Sequence, residues 1–205
     1  MKKEGGKMNR KSNKFSVLYM LCLSLILGVS LLSLNSKVVT QENFKERELV
    51  GQIETYLEQE DFNLTGSSRS HFIGYLVATA KDYEFDPWLI LAIIKVESSF
   101  NPEAISHAGA MGLLQLKPIA AREVANFFED TPIAPRELFN PFVNVKIGVQ
   151  YLSFLRDAIG SDHSRMLTAY NQGPTNVKRT GARSSGYSRK VLRVYNNLIN
   201  QFASL

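Results

Sequence analysis

WLILAIIKVESSFNPEAISHAGAMGLLQ, residues 88–115, decides how the rest of the chain is read. Its first half is an apolar helix. Asp86 is a natural N-cap, and Pro87 suits the first helical position, where the N–H it lacks would be unpaired anyway. Leu89, Ile90, Leu91, Ala92, Ile93, Ile94 and Val96 surround the axis with apolar side chains, so the helix belongs in a core. Asn101-Pro102 ends it, because proline disfavours helix at the residue before it. A turn of small and polar residues follows. A second helix is expected to open with Gly112-Leu113-Leu114-Gln115 and to run through Leu116 to Phe128, with Pro118 in its first turn or at a kink.

Glu97 therefore stands at the C-terminal end of a core helix. The helix dipole presents partial negative charge there, and burial disfavours the ionised form, so both raise its pKa. A carboxyl kept protonated near neutral pH can donate its proton to a leaving oxygen. The residues alone leave a second reading open, a solvated Glu at a frayed helix end.

Working outward, Ser70 to about Tyr83 reads as a helix through Phe72, Ile73, Leu76, Val77 and Ala80. Leu138-Phe139-Asn140-Pro141 reads as a cap that opens a helix through Ile147, Val149, Tyr151, Leu152, Leu155 and Ile159, stopped by Gly160. Asp162 caps the next helix, which ends at Tyr170-Asn171-Gln172-Gly173-Pro174. A final helix covers about Tyr187 to Phe202. No stretch shows strand alternation, so the fold is expected to be all-α.

The formal charge of +5 sits almost wholly in residues 1–14, which hold six Lys or Arg against one Glu. The rest of the chain balances, so the basic pI is no argument for nucleic acid. Phe15 to Leu34 is twenty residues without a formal charge. As a helix it would be about 30 Å long, the thickness of a hydrocarbon core. The basic residues before it place the N-terminus in the cytoplasm. The span is expected to be an uncleaved single-pass anchor in the bacterial inner (cytoplasmic) membrane, the competing reading being a cleaved signal peptide and a secreted periplasmic protein. Cys22 lies mid-span in the wrong context for lipid attachment. Residues 35–66 read as a spacer with an amphipathic acidic helix. The expected organisation is a basic leader over 1–14, an anchor over 15–34, the spacer over 35–66 and a catalytic domain over 67–205. After Asp162 there are seven Lys or Arg and no acid, which is either a solvated face or an attraction for a polyanion. His71, His107 and His163 lack metal-ligand spacing and the lone Cys forms no cluster, so neither metal nor cofactor is expected.

Glu97-Ser98, Phe100-Asn101-Pro102, Ser106 and Gly109-Ala110-Met111-Gly112-Leu113-Leu114-Gln115 resemble the first two motifs of the lytic transglycosylases of glycoside hydrolase family 23. Ala169-Tyr170-Asn171-Gln172-Gly173-Pro174 resembles the third, and Tyr187 with Val191 the fourth. Order and spacing match over roughly residues 70–202, and four motifs in sequence are specific where one would be weak. The resemblance implies a lysozyme-like fold and non-hydrolytic cleavage of the bond between N-acetylmuramic acid and N-acetylglucosamine in peptidoglycan, giving 1,6-anhydromuramic ends. It implies Glu97 as catalytic acid and base, with Ser98, Ser106, Gly112, Leu113, Gln115, Tyr170, Asn171 and Tyr187 binding substrate. Gly109 and Gly112 would let backbone approach the sugar, Gln115 would donate to acetamido or hydroxyl groups, and Tyr170 would orient Glu97 or stack near the cleaved bond. The partners implied are glycan strands, the membrane, and envelope or cell-wall machinery proteins. Three positions depart from the family pattern. Leu114 stands for a Met, His107 for a common Pro, and Arg183-Ser184 for an acid-Thr pair before the fourth-motif Tyr. Two other classes are kept: a goose-type lysozyme-like hydrolase, which uses water and needs a second acid or a water-holding group, and a non-catalytic peptidoglycan-binding scaffold.

Overall fold

The computed structural model describes residues 19–20, 38–60, 62, 64, 66–129, 131 and 133–202. The expected anchor over 15–34 lies outside them apart from Tyr19 and Met20, and the leader over 1–14 lies outside them altogether. Among the described residues no helix is long and apolar enough to cross a membrane. The chain divides after Leu49 into two units. In the first, 38–49 is helical; the second, from Val50, carries the site.

Regular structure among the described residues is helical. In the second unit helix α1 covers 50–59. It is followed by α2 Ser67–Asp82, α3 Pro87–Ser98, α4 Pro118–Phe127, a 3-10 turn Pro135–Phe139, α5 Pro141–Ile159, α6 His163–Gln172, α7 Pro174–Thr180 and α8 Gly186–Phe202. Among the described residues the extended pairings are two isolated bridges, Ile105–Met111 and Met111–Leu116. The all-α expectation holds.

Helix α3 is the axis of the core. Trp88 to Ile94 are all buried. Its start follows the sequence: Pro87 takes the first position and the Asp86 carboxylate accepts the Trp88 N–H at 2.9 Å. The other Asp86 oxygen accepts the Tyr195 hydroxyl of α8 at 2.8 Å. Trp88 stacks on Phe202 at 5.2 Å and 12°. Helix α8 thus runs antiparallel to α3, with its N-terminal end beside the end of α3 that carries Glu97.

The end of α3 differs from the expectation. The helix stops at Ser98, before Asn101-Pro102, because Ser99 (φ 49°) and Phe100 (φ 65°) both turn left-handed. That conformation costs a non-glycine residue about 1–2 kcal/mol. Phe100 offsets the cost by burial. It is fully inside, in edge contact with Tyr56 at 5.7 Å and Phe62 at 6.0 Å, and burying such a side chain contributes about 1.5–3 kcal/mol. Tyr56 belongs to α1, so the stretch read as an acidic spacer also supplies core: Ile53, Tyr56, Leu57 and Phe62 are all buried.

The helix expected to open at Gly112 does not form there: Gly112 to Gln115 are turn, and Leu116 is a bridge residue. Met111 and Leu116 exchange backbone hydrogen bonds at 2.9 and 3.0 Å, and α4 begins only at Pro118. Pro118 starts a helix, where its fixed φ and missing N–H are no handicap, and kinks none. Helix α7 and the 3-10 turn have no counterpart in the sequence reading. Helices α5 and α6 begin and end as expected, with Asn140 accepting the Phe142 N–H at 2.9 Å, Asp162 accepting the Arg165 N–H at 2.7 Å and Gly160 (φ 97°) closing α5.

Candidate active site

A cleft of about 430 Å³ opens beside the end of α3. Glu97 lines it, with Ser106, Ala110 and Gln115 from the turns after α3, Lys117 and Ala120 at the start of α4, Tyr151 of α5, and Tyr170, Asn171 and Gln172 of α6. Among the described residues the charged side chains in this wall are Glu97 and Lys117, so Glu97 is its one acid.

Glu97 is half-buried. Burial raises its carboxyl pKa, while the Tyr187 hydroxyl and the Lys190 ammonium pull it back in part. Tyr187 and Lys190 are three residues apart on α8, so one face of that helix meets the acid. The Tyr187 hydroxyl is itself buried and approaches the carboxyl without closing a hydrogen bond of ordinary geometry to any described group. Burial, then the Glu97 charge, push the hydroxyls of both Tyr170 and Tyr187 well above their usual range. Both stay protonated, and Tyr187 is placed to donate.

Three tyrosine rings form a row; Tyr151 and Tyr170 line the cleft, and Tyr187, expected to bind substrate, is not in its wall. Tyr151 and Tyr170 lie 5.3 Å apart, and Tyr170 and Tyr187 stack at 6.4 Å and 4°. Tyr170 does not bond Glu97. Its hydroxyl donates to the Leu114 carbonyl at 2.6 Å, so it holds the turn that carries Gln115. Gln115 has a left-handed backbone (φ 47°), and its side-chain N–H groups are spent on the carbonyls of Ala104 and Gly112, each at 3.0 Å. What Gln115 offers the cleft is therefore its amide oxygen, an acceptor, where the sequence suggested a donor. Ser106 lines the cleft and closes its own turn, its hydroxyl accepting the Ala110 N–H at 3.0 Å.

Ser98, Gly112 and Leu113 are placed in the frame and not in the cleft wall. The Ser98 hydroxyl donates back to Ile94 O at 3.2 Å. Leu113 is fully buried. Gly112 (φ 77°) leaves no room for a side chain, since a Cβ there would lie 2.1 Å from Leu138 O and 2.2 Å from Asn144 Nδ2. Its close approach is to α5 and the 3-10 turn, where the sequence suggested a sugar.

The sequence reading missed Asn144. It is fully buried on α5, accepts the Leu114 N–H at 2.8 Å, and donates to Met111 O at 3.0 Å and Leu138 O at 2.8 Å. Tyr170 and Asn144 thus clamp both backbone groups of Leu114, whose side chain rests on Gly148. A polar residue on the apolar face of a helix was the available signal. Tyr151 and Lys117 were missed as cleft residues because their neighbours explain them as core and loop.

The chain is similar to the membrane-bound lytic murein transglycosylase C of Klebsiella pneumoniae, 39% identical over 121 residues, which is 54% of this chain and 34% of the relative. It is also similar to that of Sodalis glossinidius, 34% identical over 152 residues, 66% of this chain and 43% of the relative. The chain thus spans less than half the length of these relatives. Among solved structures, the lytic transglycosylase Slt of Pseudomonas aeruginosa, an inactive glutamate-to-glutamine mutant, superposes with a TM-score of 0.58 at 26% identity, covering 64% of this chain and 24% of that one. The 70-kDa soluble lytic transglycosylase of Escherichia coli gives 0.56 at 26%, covering 63% and 24%. The family profile described as "Transglycosylase SLT domain" matches residues 74–192. That match runs from α2 into α8 and takes in every cleft residue named above, so the chain belongs to the transglycosylase SLT domain family.

Proposed function

We propose that this chain is a peptidoglycan lytic transglycosylase. The observation that carries the reading is a half-buried glutamic acid, Glu97, as the one acid of the cleft wall. Ordinary glycosidases pair two carboxylates about the bond they cut. A single acid suits a reaction in which the substrate supplies its own nucleophile. Glu97 protonates the oxygen joining N-acetylmuramic acid to N-acetylglucosamine, and that C–O bond breaks. The muramic acetamido group shields the positive charge at the anomeric carbon. The C6 hydroxyl then closes on that carbon while the Glu97 carboxylate takes its proton, giving the 1,6-anhydro ring and restoring the acid. An internal nucleophile carries a large proximity advantage, which one tuned carboxyl can exploit.

Tyr187 supports the carboxylate stage, since its buried hydroxyl can close a hydrogen bond on Glu97 once the proton has left. Ser106, the Gln115 amide oxygen, Asn171 and the rings of Tyr151 and Tyr170 face the sugar. Ser98, Gly112 and Leu113 contribute by fixing the backbone under them. The apolar run 15–34 anchors the catalytic part outside the cytoplasmic membrane, in keeping with relatives that are named membrane-bound.

The test is product analysis. Sacculi digested with the wild type and with Glu97→Gln are compared by mass spectrometry. Anhydromuramic ends are expected from the wild type and none from the variant. Reducing muramic ends would instead identify a hydrolase and overturn the reading.

A further inference from the structure

A second cavity, of about 450 Å³, opens where α5 passes into α6, with Gly160, Asp162, Ser164, Arg165, Arg183 and Ser184 in its wall. The Arg165 Nε is buried there and has no hydrogen-bond partner. Among the described residues, neither the Arg165 nor the Arg183 guanidinium has an ion-pair partner. Asp162, the one acid in the wall, is turned to its own helix end, where it caps Arg165 N–H at 2.7 Å. Ser164 Oγ lies 3.4 Å from Ser188 Oγ. A buried N–H left without an acceptor is destabilising, so the cavity is short of an acceptor and has two positive charges to hold one.

Helix α6 joins this cavity to the cleft. Ser164 and Arg165 line the cavity, and Asn171 and Gln172 line the cleft. Each pair is seven residues apart. Seven residues are two turns, so both pairs lie on one face of α6, separated by about 10 Å along its axis.

We propose that the two-arginine cavity binds a carboxylate on the peptide branch of the glycan strand held in the cleft. A guanidinium fork matches a carboxylate in shape and charge. Three extended residues reach about 10 Å, the distance from one site to the other. Arg183 and Ser184 occupy the positions that depart from the family pattern, so this subsite is a property of the present chain. The proposal rests on the transglycosylase reading for the source of the branch, and on the cavity alone for the chemistry of the anion.

Two measurements test it. The first is binding of the free stem tripeptide L-Ala-γ-D-Glu-L-Lys, and of the same peptide with its carboxylates amidated, followed by calorimetry. Arg183→Gln removes an exposed side chain with no partner and leaves the fold intact; Arg165→Lys keeps the charge and Arg165→Gln removes it. Each Gln variant is expected to weaken the acid form about tenfold, the equivalent of one charge-assisted hydrogen bond, with Arg165→Lys recovering part of the loss. Equal binding by all variants, or equal binding of the amidated peptide to the wild type, overturns the proposal. The second is kcat/KM on peptide-bearing glycan strands and on strands stripped by an amidase. Arg183→Gln should lower the first and leave the second, and equal loss on both would reduce the arginine to a structural role. A wild type that releases no anhydro product from either strand would sink the transglycosylase reading instead, and the tripeptide measurement would still decide the cavity.

Discussion

The Tyr170 hydroxyl donates to the Leu114 carbonyl across 2.6 Å, tying α6 to the turn that presents Gln115. A ring that lines the cleft therefore also holds the cleft together. Tyr170→Phe keeps the ring and leaves the carbonyl of a fully buried residue without its donor. Stability should fall by about 1–3 kcal/mol in urea titration, and cleavage should slow as the Gln115 turn relaxes. Unchanged stability with lost activity would show that the hydroxyl acts on substrate and not on Leu114.

Asn144 makes a sharper demand on the same turn. Asn144→Ala strands one N–H and two carbonyls inside, and a loss of about 3 kcal/mol or more is expected. Asn144→Asp should be no milder. It keeps the acceptor for Leu114 N–H but sets an acceptor against Met111 O and Leu138 O, where donors are needed. Denaturant midpoints of the two variants check this, and an Asp variant as stable as wild type would contradict the assigned amide orientation.

Glu97→Gln should lose activity by a factor of at least about 10²–10⁴, the usual worth of a general acid. It should also gain stability, with a definite sign in pH. Burial raises the folded carboxyl above its ordinary 4.5, so the folded state holds the proton more tightly than the unfolded chain. The wild type has that stabilisation in full below the ordinary value and loses it as pH rises through the raised one. The advantage of the Gln variant should therefore be small in acid and grow toward neutral pH, in thermal melts across that range. Wild-type activity should fall on the alkaline side as the acid form disappears.

Ser99 sits left-handed (φ 49°) right after α3. Ser99→Gly should stabilise the protein by about 0.5–1 kcal/mol, since glycine adopts that conformation without steric cost but surrenders more freedom on folding. Calorimetric melting temperature measures it. A loss of stability would mean that the Ser99 hydroxyl, 3.5 Å from Lys95 O, matters more than the backbone.

What the sequence made legible follows from how local each signal is. Asp86-Pro87, Asn140-Pro141, Gly160 and Asp162 act on their own turns, and they open or close helices where local rules say. The Glu97, Ser106, Gln115, Tyr170 and Asn171 positions were legible through their motifs, and all five line one cleft. The left-handed pair Ser99-Phe100 was not legible, because what offsets its cost is a ring buried against Tyr56 and Phe62, residues far away in sequence. The start of α4 was misread for the same kind of reason, although Pro118 does occupy a first turn. Leu113, Leu114 and Leu116 look helical, but Asn144 and Tyr170 take their backbone partners first. The Gln115 donor role failed because its N–H groups are consumed by neighbours, which composition does not reveal.

The acid rides on the innermost helix, whereas Arg183 of the second cavity faces solvent on a loop. On the proposed readings of the two sites, drift on the exterior can rewrite which branched polymer is favoured while leaving the proton-transfer step alone. The reverse is harder, since the burial that raises Glu97 belongs to the core helix α3, and the exposed Lys190 offers a smaller handle from the surface. Chemistry and selectivity are in this way placed under separate mutational control.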